Sequence, residues 1–215
     1  AYFAAKERLF KEVLADSKKE EVFAVVNKDD EWGDKLFISD RARVYTYGER
    51  EADITFSLVN QDFKGSHFQV ETPRGSVDVH LPVPGLFNIY NALAALGVAL
   101  CAGVSIESAA KSLSEFLGVL GRLQRVSPLN RLAVFVDYAH TPDALEKVLM
   151  ALVEIRKNVK KKTKILTVFG CGGDRDSGKR PIMGELAYKY SDLVFITSDN
   201  PRREPSGQII KDILK

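Results

Sequence analysis

Two short loops hold the side chains best suited to chemistry. The first is Gly170-Cys171-Gly172-Gly173-Asp174-Arg175-Asp176-Ser177-Gly178-Lys179-Arg180, and the second is Asp199-Asn200-Pro201-Arg202. Apolar runs precede both, Ile165 to Phe169 and Leu193 to Thr197, and each reads as a buried parallel strand. In an open α/β sheet, ligands settle outside the carboxyl ends of the strands. Charged loops at two such ends predict a site for a ligand that carries carboxylates or phosphates. Arg175 and Arg202 are the natural cations, because a guanidinium can grip a carboxylate through two parallel N–H bonds.

Each motif also has an ordinary alternative. Gly173, Gly178 and Lys179 fall at nucleotide P-loop spacing, but Arg180 stands where Ser or Thr must hold magnesium. Pro181 is predicted as the first helical residue, which leaves Lys179 outside the helix. The loop then either grips an anion with backbone N–H groups and Arg175 or serves only as a tight turn. Asp199, Asn200 and Pro201 are also common turn residues.

Asp137-Tyr138-Ala139-His140-Thr141-Pro142 runs from a strand into a helix N-terminus, where a polar group can reach ribose or phosphate. Asp137 and His140 could equally satisfy local backbone donors. Asn88 and Asn91 lie three apart on an apolar helix, either as buried amides with structural partners or as readers of an adenine edge. Lys6 projects from the middle of an apolar arc formed by Tyr2, Phe3, Leu9, Phe10, Val13 and Leu14. It is either a snorkelling side chain or an amine made nucleophilic by burial, able to add carbon dioxide and become a carbamate.

The elements that must position these residues follow from periodicity and punctuation. An amphipathic helix is predicted over residues 1–16, a short buried strand over Val22 to Val26, and a turn from Asp29 to Asp34. Alternation from Val44 to Leu81, with the turn Thr72-Pro73-Arg74-Gly75, predicts an antiparallel meander. Gly85 opens a helix reaching about Ala102, and Ser105 opens another. Gly118 and Gly121 bracket a boundary, which gives domains at 1–120 and 121–215. Leu132 to Val136 is predicted as a buried strand. Thr141, Pro142 and Asp143 then form a helix start with cap, first-turn proline and early acid. The five lysines from Lys157 to Lys164 read as a solvated helix end. The remaining order of strand, loop and helix, twice over, is a parallel α/β unit.

Bulk composition narrows the classes. With 31 basic and 29 acidic side chains the net charge is only +2, and no basic-aromatic stripe suggests nucleic acid. No apolar run reaches the roughly 18 residues of a membrane span. Cys101 and Cys171 lack metal-ligand spacing, so an intracellular protein without disulfides is expected. The chain starts within one helical pattern and stops within another, as a segment of a longer enzyme would.

Taken in order, Ala1 to Lys6, Gly85 to Leu93, Gly121-Arg122, Val136 to Leu145, the glycine loop and Asp199 to Arg202 resemble the Mur ligase family. That resemblance implies an α/β fold: part of a central ATPase domain followed by part of a Rossmann-like C-terminal domain. It aligns Lys6 with the carbamylated lysine that helps hold Mg2+. It aligns Asn91, Arg122 and Asp137 with contacts to adenine, phosphate and ribose of ATP, and puts His140 beside them as a catalytic candidate. Arg175 and Asp199, Asn200, Pro201 and Arg202 align with the site for the incoming amino acid, and Arg202 favours meso-diaminopimelate.

The implied activity is ATP-dependent amide-bond formation on UDP-N-acetylmuramoyl-L-alanyl-D-glutamate through an acyl phosphate, by a cytoplasmic monomer making peptidoglycan precursor. The P-loop and UDP-binding domain are expected upstream of Ala1, so the segment alone is expected to be inactive. A P-loop-like NTPase and a non-catalytic carboxylate-binding module are the competing classes.

Overall fold

The computed structural model describes residues 2–126, 132–159 and 162–215. They form two compact units. One takes the chain through Gln61 with Gly65–Pro82 and Leu86–Leu117; the other takes Gly118–Lys215 with Asp62–Lys64 and Val83–Gly85. No helix among the described residues is long and apolar enough to cross a membrane.

The first unit opens with α1 (Tyr2–Arg8), which widens into a π turn over Leu9–Val13. The apolar arc expected on this helix is not buried: Tyr2, Leu9 and Val13 are all exposed. The helix is tethered to the segment after the first strand. Phe37 N–H donates to Glu7 Oε1 at 3.1 Å, Ser39 N–H to Phe10 O at 3.1 Å, and the Phe3 and Trp32 rings lie 5.0 Å apart.

Five strands follow in one sheet, ordered as in the chain: β1 (Phe23–Asn27), β2 (Arg43–Gly48), β3 (Ile54–Asp62), β4 (Gly65–Thr72) and β5 (Gly75–Leu81). The expected antiparallel meander holds for β4 and β5, which pair Phe68 with Val79 and Val70 with Val77. It fails earlier, where β1, β2 and β3 run parallel. The Asp53 carboxylate accepts from both Thr46 N–H and Thr46 Oγ1, so the chain steps sideways after β2 and starts β3 alongside it.

Helix α2 (Leu86–Cys101) buries Ile89, Leu93, Leu96 and Leu100, a three-to-four-residue stripe laid on this sheet. A Cβ at Gly97 would sit 2.9 Å from Val25 Cγ1, so the helix backbone rests directly on the strands. The helix expected after Ser105 is α3 (Ile106–Ser114), and Ser105 caps it by accepting from Ser108 N–H.

The second unit carries two small sheets. β6 (Gln124–Arg125) pairs antiparallel with β7 (Phe135–Val136). The buried strand expected over Leu132 to Val136 is therefore shorter and more open, with Leu132, Val134 and Val136 exposed. Its backbone is satisfied by the chain just upstream, as in Val126 N–H to Val134 O at 2.9 Å, and not by a parallel neighbour.

β8 (Leu166–Phe169) and β9 (Leu193–Ile196) pair in parallel, as expected. They are buried on one face only: Leu166, Val168, Leu193 and Phe195 are exposed. Helices α4 (Pro142–Lys157), α5 (Lys179–Tyr190) and α6 (Ser206–Ile213) pack on the other face around Leu145, Leu149, Ile165, Cys171, Met183, Ala187, Ile209 and Ile213. Thr141 caps α4 with Pro142 at its first position. Arg156 and Lys157 close that helix, while Lys160 and Lys161 of the lysine run lie outside the described residues.

Candidate functional site

The glycine loop leaves β8 and the Asp199 tetrad leaves β9, so strand pairing alone makes the two loops neighbours. Backbone approach then sets how close they come. A Cβ on Gly170 would fall 2.3 Å from Thr197 O, and one on Gly173 would fall 1.9 Å from Pro201 O. Only glycine permits contact at that range. Gly173 N–H donates to Asn200 O at 2.9 Å, and Arg202 Nη1 donates back to Gly173 O at 2.7 Å.

Arg175 and Arg202 share this ground. The Cβ position of Gly172 lies 2.9 Å from Arg202 Nη1 and 4.0 Å from Arg175 Cγ. The Arg202 guanidinium and the base of the Arg175 side chain thus lie beside one glycine, and both residues are exposed. Arg202 spends one of its five N–H groups on Gly173 O, which fixes the plane of the fork. Asp174 and Arg202 both adopt left-handed backbone, each at φ 50°. Such strain in a non-glycine residue costs on the order of 1–3 kcal/mol and concentrates at functional sites.

The expectation for the α5 start is corrected. The helix begins at Lys179, so Pro181 sits third in it, still within the turn whose N–H groups need no helical acceptor. Arg180 is 1% exposed. Its guanidinium donates to both Glu204 oxygens at 2.8 Å, to Asp212 Oδ2 at 3.0 Å and to Gly172 O at 3.3 Å. A buried cation therefore fills the position where a P-loop presents its magnesium-binding hydroxyl, and the P-loop alternative loses its ligand. Cys171 also points inward, 3.8 Å from Met183 Sδ, and burial pushes its thiol pKa up.

The loop after β7 lies in the same unit. Asp137 Oδ2 accepts from Leu123 N–H at 2.6 Å and Oδ1 from Ala139 N–H at 2.8 Å, so this carboxylate does satisfy local donors. Each oxygen keeps a second lone pair for a ligand hydroxyl. Arg122 lies over the Tyr138 ring at 5.3 Å, and the His140 ring meets Tyr138 edge-on at 5.1 Å. His140 Nδ1 is 3.0 Å from Tyr138 O, and Lys179 Nζ donates to His140 O at 2.6 Å. That lysine bond ties the Asp137 loop to the glycine loop.

Lys6 and Asn91 belong to the other unit. Lys6 is exposed, with its ammonium 5.4 Å from the Tyr2 ring centre, so the burial expected to activate it is not present. Asn91 is exposed rather than buried, and Asn88 is half-buried with a partner. Between them Tyr90 donates to Asp29 Oδ2 at 2.5 Å, and burial, then that bond, raises its pKa. Ala1 lies outside the described residues.

Comparison with known proteins covers both units. Residues 1–99 match the Mur ligase middle domain, and residues 121–215 match the Mur ligase glutamate ligase domain. The chain belongs to the Mur ligase family. This Mur ligase segment is 43% identical over its whole length to the UDP-N-acetylmuramoyl-L-alanyl-D-glutamate–2,6-diaminopimelate ligase of Geobacter metallireducens, covering 41% of that protein. It is 41% identical to the ligase of the same name from Clostridioides difficile, covering 43% of it. A solved structure bearing that name superposes with a TM-score of 0.65 at 35% identity, over all of this chain and 43% of the other. The chain thus spans about two fifths of the relatives it matches.

Two residues that join the two loops escaped the sequence: Arg180 and Glu204. Arg180 registered only as a failed magnesium ligand. Glu204, two residues beyond Arg202, carried a signal only in its closeness to the tetrad. Their pairing depresses carboxylate pKa values. Arg180, then Asp174 N–H, holds Glu204 below its ordinary range; Lys215, then Arg180, holds Asp212 at about 2. A carboxylate depressed in the fold contributes stability that is present above its unfolded pKa and is lost as pH falls through the folded value. The melting temperature of the second unit is therefore expected to drop between about pH 5 and about pH 2. Arg180→Met should flatten that slope in a calorimetric pH series; an unchanged slope would show that other groups carry it.

Proposed function

We propose that the protein carrying this chain is an ATP-dependent ligase that joins meso-diaminopimelate to UDP-N-acetylmuramoyl-L-alanyl-D-glutamate in cytoplasmic peptidoglycan precursor synthesis. The observation that carries this reading is the Arg202 fork anchored on Gly173 O beside Gly172, with the Arg175 side chain leaving the backbone next to it. A fixed fork suits a carboxylate, and meso-diaminopimelate brings one that L-lysine lacks. Residues 1–120 would serve as the nucleotide-binding part and 121–215 as the amino-acid-binding part.

In this reading the exposed Arg122, on the Tyr138 platform, neutralises phosphate; Asp137 accepts from a ribose hydroxyl; Asn91 faces adenine. Among the described residues no group of three His, Cys, Asp or Glu could hold a metal by itself; Mg2+ would need only one or two protein ligands, such as a Lys6 carbamate, beside the substrate phosphates. ATP, as substrate, phosphorylates the γ-carboxylate of the D-glutamyl residue. The amine then attacks that acyl carbon, the phosphate leaves, and the amine proton passes to solvent or a nearby base. The chain's own part is to position the amine and offset charge.

The test is phosphate release by the full-length ligase carrying this chain. Meso-diaminopimelate should support it at least about 100-fold better than L-lysine, because a site built for a polar group rejects the analogue lacking it. Equal use of both amines would sink the assignment. In the same assay Lys6→Ala should lose at least about tenfold in kcat and recover partly with added short carboxylates, as expected if a carbamate acts there. Full activity in that variant would remove the carbamate.

A further inference from the structure

We propose that Arg180 and Glu204 are the positioning pair that sets the Arg202 fork, and thereby the preference for an amine substrate with a second carboxylate. This rests on the ligase assignment above.

The pair adds a second set of cross-links beside the Gly173–Asn200 and Arg202–Gly173 bonds that join the two loops. Glu204 Oε1 accepts from Asp174 N–H at 2.5 Å and from Arg180 Nη2 at 2.8 Å, so one oxygen joins the glycine loop to the α5 start. Glu204 N–H donates to Pro201 O at 3.0 Å, closing the turn that contains Arg202. Arg203 N–H donates to Asp174 Oδ2 at 3.3 Å. The two left-handed residues, Asp174 and Arg202, are thus each held by bonds that run through Glu204 or its immediate neighbours. Left-handed backbone at an arginine persists only when its surroundings over-determine it.

Electrostatics require the same arrangement. A lone carboxylate at position 204 would repel a doubly acidic ligand gripped by Arg175 and Arg202. The buried Arg180 neutralises it through two 2.8 Å bonds. Arg180 reaches this place from the first turn of α5, and its bonds to Gly172 O and Asp212 fix it to the glycine loop and to α6. A lysine could not match this, because one ammonium cannot span both Glu204 oxygens, Asp212 and Gly172 O in a planar fork. Neither residue needs to touch substrate; they act through the placement of Arg202.

Glu204→Gln in the full-length ligase tests the proposal, since it keeps shape and one acceptor while removing the charge-assisted fork. The KM for meso-diaminopimelate should rise roughly 10- to 100-fold, with kcat and the KM for ATP changed less than about threefold. The KM for L-lysine should stay level, so selectivity falls by the same factor. Arg180→Lys should show the same split.

A lower melting temperature with all KM values unchanged would overturn the proposal and leave the pair merely structural. Equal loss toward both amines would overturn it too. Failure of the wild-type ligase to prefer meso-diaminopimelate would instead strike the ligase assignment itself, before any variant is read.

Discussion

Arg202→Ala is expected to raise the KM for meso-diaminopimelate about 100-fold while leaving that for ATP within about twofold. The magnitude, about 2.7 kcal/mol, lies within the roughly 1.5–3 kcal/mol of a hydrogen bond to an ionised partner and counts the fork as one such interaction. Arg202 is already held by Gly173 O at 2.7 Å, so little entropy remains to be lost when a carboxylate arrives. Arg202→Lys should recover only part of the loss, because a point charge cannot reproduce the fork. Steady-state kinetics with each substrate varied in turn decide the matter. Equal rises in both KM values would show that Arg202 supports the fold and does not select the amine.

Gly173→Ala is expected to be the most damaging small substitution in the second unit. Its Cβ would lie 1.9 Å from Pro201 O, a backbone atom that cannot turn aside. The two loops must separate, and with them go Gly173 N–H to Asn200 O and the anchor of Arg202. Overpacking of this kind costs about 1–3 kcal/mol, and the lost bonds add to it. The KM for meso-diaminopimelate should rise alongside the fall in melting temperature. Gly207 supplies the contrast: nothing lies within 4 Å of its Cβ position, and it sits inside α6. Gly207→Ala should stabilise by about 0.5–1 kcal/mol through helix propensity. Parallel thermal melts would reveal a mistake if the two alanines behaved alike.

Both results bear on how an anion site is built from weak parts. No single element of the second unit is unusual: two short strand pairs, three helices and polar loops. The two loops touch at glycines, so that a backbone carbonyl holds Arg202. The buried Arg180, which reads as a defect in a nucleotide motif, is the post on which that contact rests.

Local signals were legible where local physics decides. The cap at Thr141, the proline at the α4 start, the turn at Gly75, the helix after Ser105 and the parallel pairing of β8 with β9 stand as their residues imply, while the full burial expected of those two strands does not. The alternative loop classes for residues 170–180 could not be separated in sequence, because a glycine-rich run says only that backbone can come close, not what it approaches. The parallel course of β2 and β3 was hidden for a similar reason: alternation reports which face is buried and is silent about the direction of the neighbour.

The primary structure by itself determined the family-specific residues and their order, since charge, glycine and proline placement are properties of the chain. It also set the two guanidiniums one strand apart. Only the tertiary structure decided that the two arginine side chains start beside one glycine, that Lys6 and Asn91 are exposed, and that Arg180 is buried against Glu204 and Asp212. These are outcomes of long-range packing. A side chain's surroundings depend on segments tens of residues away, and the 24-position separation of Arg180 and Glu204 carries no periodicity that would pair them.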